Sequence, residues 1–201
     1  MDIITRAVNQ LEQRIRGSGS EEGVVTIDTD PDRVVCQYEK GACLNATYGG
    51  RSAEFVTMEP MTATTRIGFM FGAALAKLPQ RAAACAIINV AAGFFCLSRK
   101  LKACDPVSHE ACREALKKEI GRESIYPVGM TGKARALFDN IVADPDQADV
   151  ILVVGDGLIE PGTGDLLARY KGKKRIILLA PSTAGVGVLL GCSHWCPFGK
   201  G

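Results

Sequence analysis

The chain has 201 residues, 47% of them hydrophobic, enough to bury a substantial core in one domain or two small ones. Its 24 basic and 22 acidic residues nearly cancel to a net charge of +2, and its few aromatics (6%) are not interleaved with the basic runs at Arg99-Lys100-Leu101-Lys102 and 171–175, so nucleic acid is not an expected partner. The longest apolar run, 82–97, is too short to span a membrane and is broken by Asn89, and the first residues lack a signal-peptide pattern; a cytoplasmic setting is expected, where eight cysteines serve as free, metal-bound or redox groups rather than as structural pairs.

Residues 2–16 carry Ile3, Ile4, Val8, Leu11 and Ile15 at helical spacing, and Gly17-Ser18-Gly19-Ser20 ends that helix. Segments 23–27 and 33–38 read as strands around an Asp-rich turn at 28–32. Residues 42–48 read as a third strand of a small antiparallel sheet. Residues 65–77 and 80–96 are long and apolar and predict a helical pair, with Pro79 starting the second member. A charged helix follows over 108–120, with Ser108 as its N-cap.

From about residue 122 the pattern changes. Short apolar strands at 124–129, 149–155 and 174–180 alternate with helices at 133–139, near 163–170, and from Ser182-Thr183 onward to Leu190. Continuous apolar strands alternating with helices indicate a parallel sheet covered on both faces. The expected class is therefore α/β: a small α+β domain over 1–121, then a Rossmann-like domain over 122–201 with a Cys/His tail.

Two short segments hold both histidines and four of the eight cysteines. In the tail, Cys192, His194 and Cys196 alternate, so an extended backbone points all three to one side. In the other, Cys104 precedes a helix on which His109 and Cys112 share a face. Thiolates and imidazoles are soft ligands suited to zinc, iron, nickel or cobalt, and the two segments together could supply a four-ligand site, although neither has zinc-finger spacing. Of the remaining cysteines, Cys85 and Cys96 fall inside apolar helix pattern and read as core. Cys36 and Cys43 flank a turn at Glu39-Lys40-Gly41 and read as strand core.

Glycine-rich turns follow the three parallel strands: Gly129-Met130-Thr131-Gly132, Gly155-Asp156-Gly157 and Ser182-Thr183-Ala184-Gly185. Such turns bring backbone N–H groups to the carboxyl end of a parallel sheet, where ligands bind. Gly129, Thr131, Gly132, Gly155, Asp156, Ser182 and Thr183 are thus candidates for holding a small anionic ligand, although neither a Walker A motif nor a dinucleotide fingerprint is present. No residue order typical of a catalytic triad or a zinc protease appears, so no catalytic residue is assigned.

The run from Lys77 through Leu78, Pro79, Gln80 and Arg81 to Ala84, with Asn89, carries a resemblance to a known family. So do the Cys104 to Cys112 segment, Val153-Val154-Gly155 with Gly162-Thr163-Gly164-Asp165-Leu166-Leu167, Ala180-Pro181-Ser182-Thr183-Ala184-Gly185-Val186 with Leu189-Leu190-Gly191, and Cys196-Pro197-Phe198-Gly199. In these motifs the chain resembles the heavy-metal-chelation family with a Rossmann-like C-terminal domain; His194-Trp195 falls outside the resemblance. The resemblance implies an N-terminal domain like the α+β cap of enolases, a ligand cleft between the two domains, and a role with a metal or metal-containing cofactor. Two rivals remain: an enzyme using a reactive cysteine on a small anion in the α/β cleft, and a metal-free scaffold forming a homo-oligomer through its Ala-rich helices.

Overall fold

The computed structural model describes residues 2–201. Helix α1 (Ile3–Ile15) starts where Asp2 accepts the Ile4 and Thr5 amides, and it buries Ile3, Ile4, Ala7, Val8, Leu11 and Ile15. Four strands follow: β1 (Val24–Asp30), β2 (Ala42–Tyr48), β3 (Arg51–Thr57) and β4 (Ala63–Arg66). They form an antiparallel sheet in the order β3-β2-β1-β4.

The expected strand at 33–38 does not form. β1 is already hydrogen-bonded to β2 on one edge and to β4 on the other, so no edge is left for that segment. It runs instead as a connection toward the second half of the molecule. The expected helix at 65–77 is also absent. Thr64, Thr65 and Arg66 complete the sheet opposite β1, and a single turn of 3-10 helix (Ile67–Met70) follows. Gly72 and Leu75 then adopt positive φ, which ends any helical continuation.

Helix α2 (Leu78–Phe94) begins at Pro79 in its first turn and is buried on all sides from Arg81 to Gly93, so alanine is abundant because its neighbours approach closely. Helix α3 (His109–Ile120) follows; Ser108 holds its N-cap position without a side-chain hydrogen bond.

The second sheet is parallel, β5 (Ile125–Val128), β6 (Val150–Val153), β7 (Arg175–Leu179) and β8 (His194–Trp195), in that order. Helix α4 (Gly132–Arg135) is shorter than the expected 133–139. α5 (Gly155–Ile159) occupies what read as loop, and α6 (Thr163–Tyr170) and α7 (Ala184–Leu190) stand where expected.

Alternation along the strands splits the core. Ile151, Val153 and Leu178 face α1, α2 and α5–α7, whereas Val150, Leu152, Ile177 and Leu179 face α3 and α4. The molecule is thus a mixed α+β N-terminal part followed by a helix-flanked parallel sheet of Rossmann-like form. Among the described residues no helix is long and apolar enough to cross a membrane.

A single bridge places the ligand end of this sheet. Ile125 pairs in parallel with Ile141 on the edge of β5 away from β6, through Ile125 N to Asn140 O (2.8 Å) and Val142 N to Ile125 O (2.9 Å). The chain leaves β5 in one direction and returns to β6 on the other side. The carboxyl ends of β5 and β6 therefore flank a topological switch point, where open α/β sheets bind ligands.

Candidate functional site

The first half of the chain packs directly onto this ligand end. Asn89, fully buried on α2, donates from Nδ2 to the carbonyls of Glu54 (2.9 Å) and Ser182 (3.0 Å), while its Oδ1 accepts the Gly185 amide (2.8 Å). The Ser182 hydroxyl accepts the Val56 amide at 2.9 Å, and Asp156 accepts the Thr57 hydroxyl at 2.8 Å and the Met58 amide at 3.1 Å. Thr183 spends its hydroxyl on the Leu179 and Ala180 carbonyls. Asp156, Ser182 and Thr183, candidate ligand holders in the sequence, thus lie buried in a seam between the halves with their hydrogen bonds spent within the protein.

The glycines explain themselves in the same way. Gly129 has φ of 76°, and a Cβ there would sit 2.2 Å from the Gly157 nitrogen; a Cβ on Gly155 would sit 2.6 Å from Ser182 Cβ. Close backbone approach requires the first, and the packed side chains of Ser182 and Glu39 require the second. Thr131 caps α4 by accepting the Ala134 amide, and Gly132 is exposed.

One opening remains at the switch point. A cavity of about 270 Å³ lies at the end of β5, lined by Gly129, Lys40, Arg135, Glu160, Gly162 and Thr163 among others. Of the glycine-turn candidates only Gly129 reaches it. Lys40 also stands 3.9 Å from Asp156.

The cysteines are redistributed. The tail is extended only over His194 and Trp195, too short for the expected alternation to carry Cys192 and Cys196 to one side. The Cys192 amide closes the end of α7 on Gly187 O, and its side chain packs on the core shared with α1. His194 Nε2 lies 3.0 Å from Ala180 O, and burial holds the imidazole below its usual pKa. Beyond Trp195 the tail turns and pairs with the segment before Cys104: Leu101 N and Lys102 N reach Lys200 O at 2.7 and 2.9 Å, and Lys200 binds Asp105 at 2.5 Å.

That pairing brings Cys196 to Cys104 and Cys112, and Cys36 joins them from the 33–40 connection. Cys36, Cys112 and Cys196 are close enough that a charge on one raises the next, as are Cys104 and Cys112. Burial is the first cause of every shift: the Cys36, Cys104 and Cys112 thiols are pushed up, and Cys196 is pushed up to about 12. The Tyr38 hydroxyl lies 3.9 Å from Cys112 Sγ in the same buried wall.

Two side-chain atoms among the described residues are buried without a hydrogen-bond partner, Glu39 Oε1 and His109 Nε2. His109 stands one turn before Cys112. Glu39 is near enough to raise both Cys36 and Cys196. Its own pKa is pushed up to about 8, first by burial; the neighbouring Ser182 hydroxyl and Gly155 amide oppose the shift, and Glu54 and Asp156 add to it.

Sequence reasoning missed Cys36, Glu39 and Lys40, because residues 33–41 read as a strand and hairpin turn, and Arg135, which read as an ordinary residue of the helix at 133–139. Cys96, expected in the core, is exposed beyond the end of α2. No three His, Cys, Asp or Glu side chains among the described residues stand at metal-ligand spacing.

No protein-family model matches the chain, and no curated protein does. Among solved structures the chain is similar to a protein of unknown function from the DUF364 family of Pyrococcus horikoshii. The TM-score is 0.50 at 14% identity, over 90% of this chain and 80% of that one. At that identity the likeness is one of fold: the chain has a DUF364-type architecture.

Proposed function

We propose that the protein handles a soft transition-metal ion, or a cofactor containing one, at the thiol wall formed by Cys104, Cys112 and Cys196 with Cys36. The observation that carries this reading is the convergence of four free cysteines from four separate segments, with the buried carboxyl of Glu39 near Cys36 and Cys196; His109, one turn before Cys112, keeps its buried Nε2 without a partner. The donor set fits a soft ion: thiolates select zinc, copper(I) or iron over hard cations, and an imidazole or a carboxylate can complete the shell. The thiols have to be drawn inward to reach ligand spacing. Three of the four lie in loops or the tail, which can yield without disturbing either sheet. The motif resemblance to the heavy-metal-chelation family agrees with this reading, while Cys192 and His194 drop out of the ligand set.

Titration with cobalt(II) under reducing conditions tests it. A near-ultraviolet thiolate-to-cobalt band that persists in Cys192→Ser and disappears in the Cys104→Ser/Cys196→Ser double variant is expected. A band that is absent, or that disappears only in Cys192→Ser, contradicts the assignment.

A second reading, binding of a small anion at the switch point, is favoured by the cavity holding Lys40 and Arg135 at the end of β5. It predicts that Lys40→Ala and Arg135→Ala abolish any stabilisation of the protein by citrate or a nucleotide.

A further inference from the structure

A third region, separate from the switch point and next to the Leu101–Lys102 ladder with Lys200, has the makings of a binding site. A cavity of about 390 Å³ is bounded by the β2–β3 hairpin, the end of α2 and the segment beyond it, with Arg51, Ser52, Ser98, Arg99 and Lys102 in its wall and Cys96 at its side. None of the three cationic side chains has an ion pair or side-chain hydrogen bond among the described residues; no Asp or Glu side chain lines the cavity, and the Gly201 carboxylate, beside the Arg99 backbone in the same lining, offsets only one of the three charges.

The local fold holds these cations together. Gly49 and Gly50, with φ of 55° and 75°, form the tight two-residue turn that a right-twisted hairpin prefers. Arg51 is thereby the first residue of β3, opposite Tyr48. The turn is fixed on α2, because the Phe94 ring lies 4.6 Å from that of Tyr48 and occupies the space a Gly49 Cβ would fill. At the other wall, Cys96 takes a left-handed conformation (φ 56°), which turns the chain so that Leu97 N and Ser98 N both reach Ala92 O, at 2.8 and 3.3 Å.

An alternative account would make these residues counter-charges for the carboxyl end of α2. That end is closed by the chain's own amides: Phe95 N binds Ala91 O, and Cys96 N binds Gly93 O. Its half charge also cannot balance three cations. The cationic excess left around one concavity is repulsive, and an anion with several oxygens relieves that repulsion while accepting guanidinium hydrogen bonds in pairs. We infer that this cavity binds a small phosphate-bearing molecule through Arg51, Arg99 and Lys102, with Ser52 and Ser98 as additional donors.

The exposed thiol of Cys96 gives a built-in reporter. Inorganic pyrophosphate is titrated calorimetrically at low ionic strength, and alkylation of the Cys96 peptide is followed by mass spectrometry with anionic iodoacetate and neutral iodoacetamide. Expected are saturable binding, at least tenfold weaker in Arg51→Ala and in Arg99→Ala, and about threefold weaker in Lys102→Ala. Pyrophosphate should also slow iodoacetate labelling of Cys96 at least fivefold, and Arg99→Ala should lower the iodoacetate-to-iodoacetamide rate ratio. The three side chains have no partners, so melting temperatures should not fall; Arg99→Gln serves where the alanine variant unfolds. Equal binding by wild type and the Arg51→Ala/Arg99→Ala double variant, or Cys96 labelling indifferent to pyrophosphate, overturns the assignment. Metal content is expected to be unchanged in all these variants.

Discussion

The seam between the two sheets and the thiol wall beside it lie a few residues apart and are built on opposite principles. In the seam, Asn89, Ser182, Asp156 and Thr183 each bond to protein, and Gly129 and Gly157 let backbones touch. In the wall, four thiols are packed without a mutual disulfide and His109, on the same helix as Cys112, keeps a buried atom unpaired; the unpaired Glu39 Oε1 lies where wall and seam meet, beside Ser182 and Gly155. A buried polar group left unpaired costs on the order of 1–3 kcal/mol, and the two such atoms fall at or near the wall rather than among the Asn89 and Asp156 bonds of the seam, which marks the wall side as the one not built for stability alone. The glycine turns, which in sequence look like ligand loops, belong to the satisfied region.

The contrast can be broken most forcefully at Asn89. Asn89→Ala leaves the Gly185 amide and the Glu54 and Ser182 carbonyls unpaired and opens a small cavity, so chemical denaturation should show a loss of about 3 kcal/mol. Gly129→Ala comes next. The positive φ and the 2.2 Å approach to Gly157 should cost about 2 kcal/mol, and only an unchanged denaturation midpoint would make that turn a free ligand loop.

Glu39→Gln should act in the opposite direction and depend on pH. The folded state holds a proton on Glu39 up to about pH 8, whereas the unfolded chain releases it near 4.5. The contribution of Glu39 to stability is therefore fullest below pH 4.5 and declines as pH rises toward 8. The glutamine variant lacks this decline, so it should gain at least about 1 kcal/mol on wild type between pH 5 and pH 8 in paired melts. Smallest of all, Cys104→Ser should change stability by about 1 kcal/mol, because a buried thiol in a connecting segment is exchanged for a side chain of nearly the same size, while removing the binding capacity assigned to the wall.

Periodicity was a good guide where one element decides its own burial. α1, β2, α6 and the β5–β7 strands stand within a residue or two of expectation because their apolar spacing is unambiguous. It failed where competition between segments decides. Residues 33–38 have strand composition but no vacant edge, and 65–77 have helical composition, yet their first residues are taken by β1. The site was legible only in part for the same reason. The matching Cys and His content of the Cys104 and Cys196 segments suggests that they meet. The ladder between Leu101, Lys102 and Lys200 that makes them meet is long-range pairing, invisible to local pattern. Cys36 and Glu39 were hidden because a residue on a connecting segment takes its neighbours from tertiary structure. The tail read as one site because Cys-x-His-x-Cys alternates, but a strand of two residues cannot enforce that alternation.

The most direct test of the thiol wall is elemental mass spectrometry on protein purified untagged and without oxygen, run in parallel on wild type, Cys192→Ser and the Cys36→Ser/Cys112→Ser double variant. Near-stoichiometric transition metal in the first two and its loss from the third is the expected result. Metal that is absent from wild type, or retained by the Cys36/Cys112 variant, would contradict a site at the wall.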